Sequence, residues 1–383
     1  MKRTSKTLLM GLALGVILSG PASAEIKPEK MTIERLRPAT PHRLYLTDVA
    51  LQHVIDGRVH IIDGESFDYL GLIGTGMFGV TALSPDSSEM YVATTYYTKR
   101  NRGKRFDQFE AYSTEDLSLK AEIEIPAKHA QALAYKGTII GSSDSRFVFI
   151  QNSTPASSVT VVDRKAEKFV TEIDTPGCWI VLPAPATPSR FSTLCGDGTI
   201  LTVSLKENGE PGTQKRSAKL FDADKDPLFV QAETIGDTTY FVSFQGNIFE
   251  MNLNGEVAQL KKTWSLLDDK DKAAHWAPGG YQLMAVHGPS KTMYIGMHEG
   301  AHEGTHKWPA KEIWKIDLAK RQRVERAPGG NAIAMTITKE DAPHLYVYDG
   351  MQANFHKYQT TPALKAIEQS PPFGEFAGLV EAH

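Results

Sequence analysis

Arg43-Leu-Tyr-Leu46 is the first of seven short strand-like runs that decide the fold of this sequence. Consecutive runs start 44 to 56 residues apart, and the other six begin at Met90, Arg146, Arg190, Thr239, Thr292 and His344. A second apolar run follows each of them: Val59–Asp63, Phe109–Tyr112, Val159–Asp163, Ile200–Val203, Ile248–Met251, Ile313–Asp317 and Asn354–Tyr358. Units of about 50 residues, each long enough for four short strands, predict an all-β, seven-bladed β-propeller of roughly four-stranded blades.

The rest of the sequence favours the same architecture. Apolar residues alternate over short stretches bounded by Gly, Asp, Asn and Pro, and no long helical period occurs. We therefore expect one propeller domain over residues 43–383, without a linker. A two-sheet sandwich is the alternative, but it does not explain the regular spacing. One short helical insertion is expected over Lys261–Lys272, where Ser265 is available as a helix cap.

Length and composition exclude several classes of protein. The 383 residues are 41% apolar and 23% charged, as in globular proteins, which excludes a disordered or collagen-like chain. The 42 Lys and Arg against 45 Asp and Glu give a net charge of −3, so no strong basic field indicates nucleic acid. The longest uncharged apolar stretch, near residues 8–19, is shorter than the roughly 20 residues that cross a bilayer. We expect neither nucleic acid nor membrane as a partner.

The N-terminus has the pattern of a secretory signal peptide. Three cations among the first six residues precede the apolar stretch Leu8–Leu18 and the small-residue site Ala22-Ser-Ala24. We expect residues 1–24 to be removed on export, so that the mature chain starts at Glu25. Three prolines in residues 25–42 disfavour a helix there and predict an extended N-terminal arm.

The two cysteines, Cys178 and Cys195, lie 17 residues apart. In an exported chain such a pair predicts one disulfide. A free reactive or metal-binding pair is the alternative, but neither a C-x-x-C spacing nor a nearby histidine supports it.

His298-Glu-Gly-Ala-His302 fits the zinc motif H-E-x-x-H, and His306 follows four residues later. The motif has meaning only on a helix, where two histidines four residues apart share a face. Gly296, Gly300 and Gly304 disfavour a helix, and the segment joins two expected strands. We predict a solvent-facing loop without a metal, and the role of these histidines stays open.

Lys99–Arg105 carries five cations and is expected to be a solvated hairpin tip or a partner-docking element. No convincing nucleophile, metal or cofactor set occurs in the sequence. The residues by themselves therefore favour a scaffold or binding subunit and assign no catalytic residue to this chain.

Several stretches together resemble the heavy subunit of the tryptophan-tryptophylquinone amine dehydrogenases, most closely aromatic amine (aralkylamine) dehydrogenase and more distantly methylamine dehydrogenase. The likeness covers nearly the whole mature chain. It is carried by Thr94–Thr98, Arg102–Arg105, Gln151–Ala156, Gly177–Trp179, Leu194–Gly198, Trp264–Leu267, Trp276–Tyr281, Glu303–Ala310 and Glu312–Trp314.

The resemblance implies a seven-bladed heavy subunit with one disulfide in the region of Cys178 and Cys195. It implies an α2β2 assembly in the periplasm that oxidises a primary amine to an aldehyde and ammonia and passes electrons to a small blue copper protein. The quinone cofactor and the catalytic groups would belong to the separate light subunit. Phe78, in the segment Gly76-Met-Phe78, looks like the heavy-subunit phenylalanine of the substrate channel; a buried core residue is the alternative. Methylamine specificity, or an exported propeller that only binds a partner, are the alternative functions.

Overall fold

The computed structural model describes residues 35–383, which form five antiparallel β-sheets. The expected signal peptide and most of the N-terminal arm lie outside the described residues. The first sheet contains, in hydrogen-bonding order, β27 (Ala377–Ala382), β1 (Arg43–Asp48), β2 (Gly57–Asp63), β3 (Tyr69–Leu83), β4 (Glu89–Tyr97), β5 (Arg105–Ser113) and β6 (Leu119–Ile125).

Three sheets of four strands follow. The first consists of β7 (Ile139–Gly141), β8 (Phe147–Asn152), β9 (Ser158–Asp163) and β10 (Lys168–Asp174). The second consists of β11 (Cys178–Pro183), β12 (Arg190–Cys195), β13 (Ile200–Leu205) and β14 (Pro211–Arg216). The third consists of β15 (Leu228–Ile235), β16 (Thr238–Ser243), β17 (Asn247–Asn252) and β18 (Gln259–Ser265).

The last sheet contains β19 (Ala277–Pro278), β20 (Met284–His287), β21 (Thr292–His298), β22 (Ala310–Asp317), β23 (Gln322–Ile337), β24 (His344–Asp349), β25 (Asn354–Gln359) and β26 (Lys365–Pro372). Two 3₁₀ turns, Leu51–His53 and Thr305–Lys307, and one short helix, α1 (Asp269–Ala273), complete the described secondary structure. None of the helices in this part of the chain has the length and apolar character to span a membrane.

The paired strand-like runs of the sequence are the central strands of these sheets. The first runs fall on β1, β4, β8, β12, β16, β21 and β24, and each pairs with the strand that follows it. β1, β8 and β9 are buried along their whole length, since neighbouring sheets cover both of their faces. Phe149 and Phe191, for example, meet between two sheets with ring centroids 4.8 Å apart.

The innermost strands follow one another around a common axis, which gives a β-propeller-like arrangement. β7, β11 and β15 each form one edge of a sheet, β20 pairs with β21, and the second halves of β3 and β23 continue the series. Among residues 35–383, the last strand, β27, pairs with the first, β1. The C-terminus therefore supplies the innermost strand of the first sheet and joins the two ends of the chain.

Strand direction defines two faces. Because neighbouring strands are antiparallel, the turns that lead into the innermost strands lie on the same face as the turns between second and third strands. We call this side, which carries Phe78, Tyr281, Trp308 and the hairpin Lys99–Arg105, the front face. The turns after the innermost strands, such as residues 338–343, lie on the back face.

One expected element is wrong. Lys261–Lys272 is not a single helix, because its first part continues β18 and pairs with β17. Trp264 donates from its indole nitrogen to Glu250 at 2.9 Å, a contact that the strand conformation permits. The helix starts only at Asp269, and its cap is Asp268, whose side chain accepts from the backbone nitrogen of Asp271.

The expected disulfide is present. Cys178 and Cys195 are cross-strand partners on β11 and β12, and their sulfur atoms are bonded. The bond lies in the core between two sheets.

Candidate functional site

Phe78 lies where β3 leaves the first four-stranded unit and enters the next. The register between β3 and β4 shifts between Met77 and Val80, so the chain bulges at Phe78 and Gly79. Phe78 has φ 52°, in the left-handed region that bulky side chains rarely adopt. Its side chain is half-buried and belongs to none of the hydrophobic clusters of the core. The position is therefore a strained, partly exposed one on the front face.

Glycine makes this bulge possible. A Cβ on Gly79 would lie 2.3 Å from the carbonyl oxygen of Thr75, and a Cβ on Gly76 would lie 2.6 Å from Oγ1 of Thr94. The chain can fold this tightly on itself only without those side chains.

A buried ion-pair network lies directly behind Phe78. His129 is fully buried; its Nε2 donates to the carbonyl oxygen of Phe78 at 3.3 Å, and its Nδ1 donates to Asp107 at 2.8 Å. Arg105 reaches the same carboxylate through two bonds of 2.9 and 2.7 Å, and Thr95 donates to it at 2.7 Å. The network ties the strained backbone of Phe78 to β5 and so holds the ring in place.

The hydrogen bonds of this network favour the ionised form of Asp107. Burial alone would raise the pKa of Asp107, but the hydrogen bonds from His129 and Arg105 outweigh it and lower the pKa to about 2. Both ring nitrogens of His129 lie within hydrogen-bond distance of oxygen atoms, one of Asp107 and the other the carbonyl oxygen of Phe78. We infer a positioning role for this pair, since neither group reaches the surface.

An apolar cavity of about 250 Å³ opens on the front face. The segments that lead into several innermost strands line it, with Leu133, Tyr281, Ile333 and Phe376 as its main apolar groups. Met351, at its edge, is 78% exposed. An opening of this composition is suited to an apolar side chain of a partner or to a small organic molecule.

The loop beside the cavity also exposes aromatic surface. Trp308 is 44% exposed and packs between the rings of His298 and His302, at centroid distances of 5.5 and 5.2 Å. Lys307 lies 5.4 Å above the ring of Tyr281. Residues 99–104 of the hairpin Lys99–Arg105 add four exposed cations, Lys99, Arg100, Arg102 and Lys104, to the same face. The front face thus combines apolar and basic groups, as protein-binding surfaces do.

The H-E-x-x-H segment is not helical. β21 ends at His298, whose buried Nε2 donates to the carbonyl oxygen of Thr305 at 2.9 Å. Nδ1 of His302 lies 3.1 Å from the carbonyl oxygen of Gly300, and His306 lies in the 3₁₀ turn. Burial lowers the pKa of both His298 and His306. The structure does not bring the three side chains together around a common point.

Sequence reasoning missed the network of His129, Asp107 and Arg105. Asp107 and His129 are separated by 22 residues and lie in no motif, so only the fold brings them together. The alternation of Arg105 and Asp107 on β5, which places both on one face of the strand, was the available signal.

Fold and site together define a β-propeller-like protein whose front face carries an apolar cavity beside exposed aromatic and basic groups. A sequence profile of the methylamine dehydrogenase heavy chain family (MADH) matches residues 40–369. The methylamine dehydrogenase heavy chain of Methylobacillus flagellatus is 27% identical over 325 residues, covering 83% of this chain and 79% of that one. The corresponding chain of Methylophilus methylotrophus is 26% identical, with 79% and 74% covered. This chain belongs to the methylamine dehydrogenase heavy chain family, the heavy subunits of tryptophan-tryptophylquinone amine dehydrogenases.

Among solved structures, hydrazine synthase of Kuenenia stuttgartiensis superposes with a TM-score of 0.56 at 12% identity, covering 84% of this chain and 94% of that one. At this identity the likeness concerns the fold alone.

Proposed function

We propose that this chain is the heavy subunit of a periplasmic methylamine dehydrogenase and that its front face binds a quinone-bearing light subunit. The observation that carries the proposal is the family match over residues 40–369. The names of the relatives favour methylamine over the aralkylamines that the resemblance of individual motifs suggested. The signal-peptide pattern of residues 1–24 supports export.

The sheets support a propeller of seven blades. If β3 and β23 are each divided at their bulges, and the short strands β19 and β20, which both pair with β21, are counted as one, the five sheets become seven four-stranded units, in agreement with the sequence repeat. Each of the two long strands is then the outermost strand of one blade and the innermost strand of the next. Such continuous strands fix the blades to each other and give the light subunit a rigid surface.

In the proposed reaction a primary amine and water yield an aldehyde, ammonia, two electrons and two protons. The quinone of the light subunit would supply the electron sink. This chain would position the substrate and restrict which amines reach the quinone. Phe78 would narrow the substrate channel, and the network of Asp107 and His129 would hold its backbone there. We further propose an α2β2 assembly that passes its electrons to a small blue copper protein.

Purification from the native host tests the assembly. A C-terminally tagged chain should co-purify with a small, coloured subunit, and the complex should oxidise methylamine with a higher kcat/KM than phenylethylamine. The heterologously produced, partner-free chain is the control and should show no turnover. Turnover by the chain alone would refute the proposal that the catalytic groups belong to the light subunit. A preference for phenylethylamine would indicate that the substrates are aralkylamines and not methylamine.

A further inference from the structure

A second cluster of chemically competent side chains lies on the back face, away from Phe78. His42 precedes β1, Glu340 lies in the turn between β23 and β24, and His344 is the first residue of β24. Within residues 35–383 these three offer ligand atoms that all lie within 4.8 Å of one another. They come from the segment before β1 and from the turn that leads into β24, which meet at this edge of the ring.

The distances suit a transition metal. Nε2 of His42 and Nδ1 of His344 both lie 3.1 Å from the same carboxylate oxygen of Glu340. Donors around a tetrahedral zinc ion, bound at about 2.0–2.1 Å, are separated by roughly 3.3 Å. A second carboxylate, that of Glu65, lies 3.7 Å from Nε2 of His42 and can complete the set.

Hydrogen bonds fix the orientation of His42. The hydroxyl of Tyr346 donates to the carbonyl oxygen of Gly64 at 2.9 Å, so its oxygen accepts from Nδ1 of His42 at 2.7 Å. In a neutral imidazole this leaves a lone pair on Nε2, which faces the carboxylate of Glu340. The contact of 3.1 Å between Nε2 and the carboxylate therefore requires either a proton or a metal ion between the two atoms.

The residues around the cluster hold its side chains in place, as the neighbours of metal ligands do. The side chain of His42 is only 7% exposed, and a ligating histidine generally donates its other nitrogen to a fixed oxygen, as His42 does to Tyr346. Glu340 is held by Thr338, whose hydroxyl donates to the same carboxylate oxygen at 3.2 Å. Both ligands are thus oriented by neighbours.

We propose that His42, Glu340 and His344 form a binding site for a divalent transition metal, with Zn²⁺ as the chemically best-matched ion. Two imidazoles and a carboxylate are the ligand types that zinc prefers. The ion would link the segment before β1 to the turn before β24 on the back face. The site is independent of the amine-oxidising function.

Metal binding to the untagged mature chain tests this proposal. After treatment with EDTA and dialysis, the chain should bind about one equivalent of Co²⁺ with the visible absorption of a tetrahedral complex, and Zn²⁺ should displace it. Zn²⁺ should also raise the thermal midpoint of the chain. Glu340→Gln and His344→Ala should each weaken Zn²⁺ binding at least tenfold and abolish the rise in midpoint.

His53→Ala is the matched control, because His53 is exposed and lies after β1, away from the cluster. This variant should bind metal like the wild type. Circular dichroism in EDTA checks that every variant is folded. Wild-type protein without stoichiometric binding would overturn the proposal and leave an imidazolium–carboxylate pair of His42 and Glu340. Equal binding by wild type, Glu340→Gln and His344→Ala would overturn it as well.

Discussion

Phe78 combines a left-handed backbone, partial exposure and a carbonyl held by a buried histidine. The left-handed backbone also occurs at the buried Ile180, so it is the partial exposure that sets Phe78 apart from the core. Strain of this kind persists only where the surrounding structure enforces it, and it is common at functional positions. The partial exposure of Phe78 therefore supports its proposed role in the channel over the core alternative that the sequence left open.

Replacing Phe78 by Ala in the assembled enzyme should change the ratio of kcat/KM for phenylethylamine to that for methylamine. Pocket contacts of this size are worth about 1–3 kcal/mol, or roughly 10–200-fold in specificity. The free energy of unfolding should fall by less than the about 3–5 kcal/mol that a buried phenylalanine costs. Steady-state kinetics with both amines and denaturant titration measure the two effects.

Phe169→Ala is the matched control, since Phe169 is a 37% exposed phenylalanine on the outer strand β10. It should leave the substrate ratio unchanged. A large loss of stability in Phe78→Ala, with the ratio of the wild type, would assign Phe78 to the core.

Asp107 should contribute stability that depends on pH. Its folded-state pKa of about 2 lies below the ordinary value of 3.8, so its stabilisation is present above about pH 4 and is lost as the pH falls through 2. Asp107→Asn should lower the free energy of unfolding at pH 7 by about 3 kcal/mol, because it leaves His129 and Arg105 without their partner. The difference from wild type should shrink by roughly 2 kcal/mol between pH 5 and pH 2.

Denaturant titrations over this pH range provide the measurement, with the exposed Asp174→Asn as control. A difference between wild type and Asp107→Asn that is the same at pH 2 and pH 7 would contradict the ionised pair.

At the scale of elements, the apolar runs of the sequence predicted the central strands well, because these strands are buried on both faces and need continuous apolar residues. Edge strands were harder to predict. β14 and β18 are mostly exposed, so their composition is polar and resembles that of a loop or a surface helix. This explains why Lys261–Lys272 was expected to be helical.

The disulfide between β11 and β12 provides an element-scale prediction. Closing a loop of 17 residues is worth about 3 kcal/mol in the chain-entropy account. The double variant Cys178→Ala, Cys195→Ala should lose about this amount in denaturant titration under oxidising conditions. Reductant should destabilise the wild type similarly and leave the double variant unaffected. Two alkylatable thiols in the untreated wild type would contradict the bond.

On the scale of the whole molecule, charged groups lie along the inner strands. A cavity of about 260 Å³ contains Lys136, Glu233, Lys339 and Glu381. Lys136 pairs with Glu233 at 2.6 Å, and burial raises the pKa of Glu381, which accepts from the backbone nitrogen of Leu83 at 2.8 Å. No sequence pattern indicated this cluster, because its members come from β15, β27, the turn before β7 and the turn after β23, and they converge only when the ring forms.

One buried side chain stabilises the closure of the ring through two hydrogen bonds to β27. Gln282, just before β20, donates to the carbonyl oxygen of Val380 and accepts from its backbone nitrogen, both at 2.8 Å. It therefore satisfies both polar backbone groups of that residue in β27. Gln282→Leu keeps a similar volume but leaves both groups buried and unpaired, at about 1–3 kcal/mol each. We expect the free energy of unfolding to fall by roughly 2–6 kcal/mol.

The loss should appear first where the ends of the chain meet. Hydrogen exchange of Gln282→Leu should show lower protection in β27 and β1 than in β12 or β16, because the closing strand opens before the other sheets. Gln352→Leu, at an exposed glutamine in the turn before β25, is the control and should match the wild type. If protection decreases equally in every sheet, the ring unfolds as one unit and β27 is not its weakest closure.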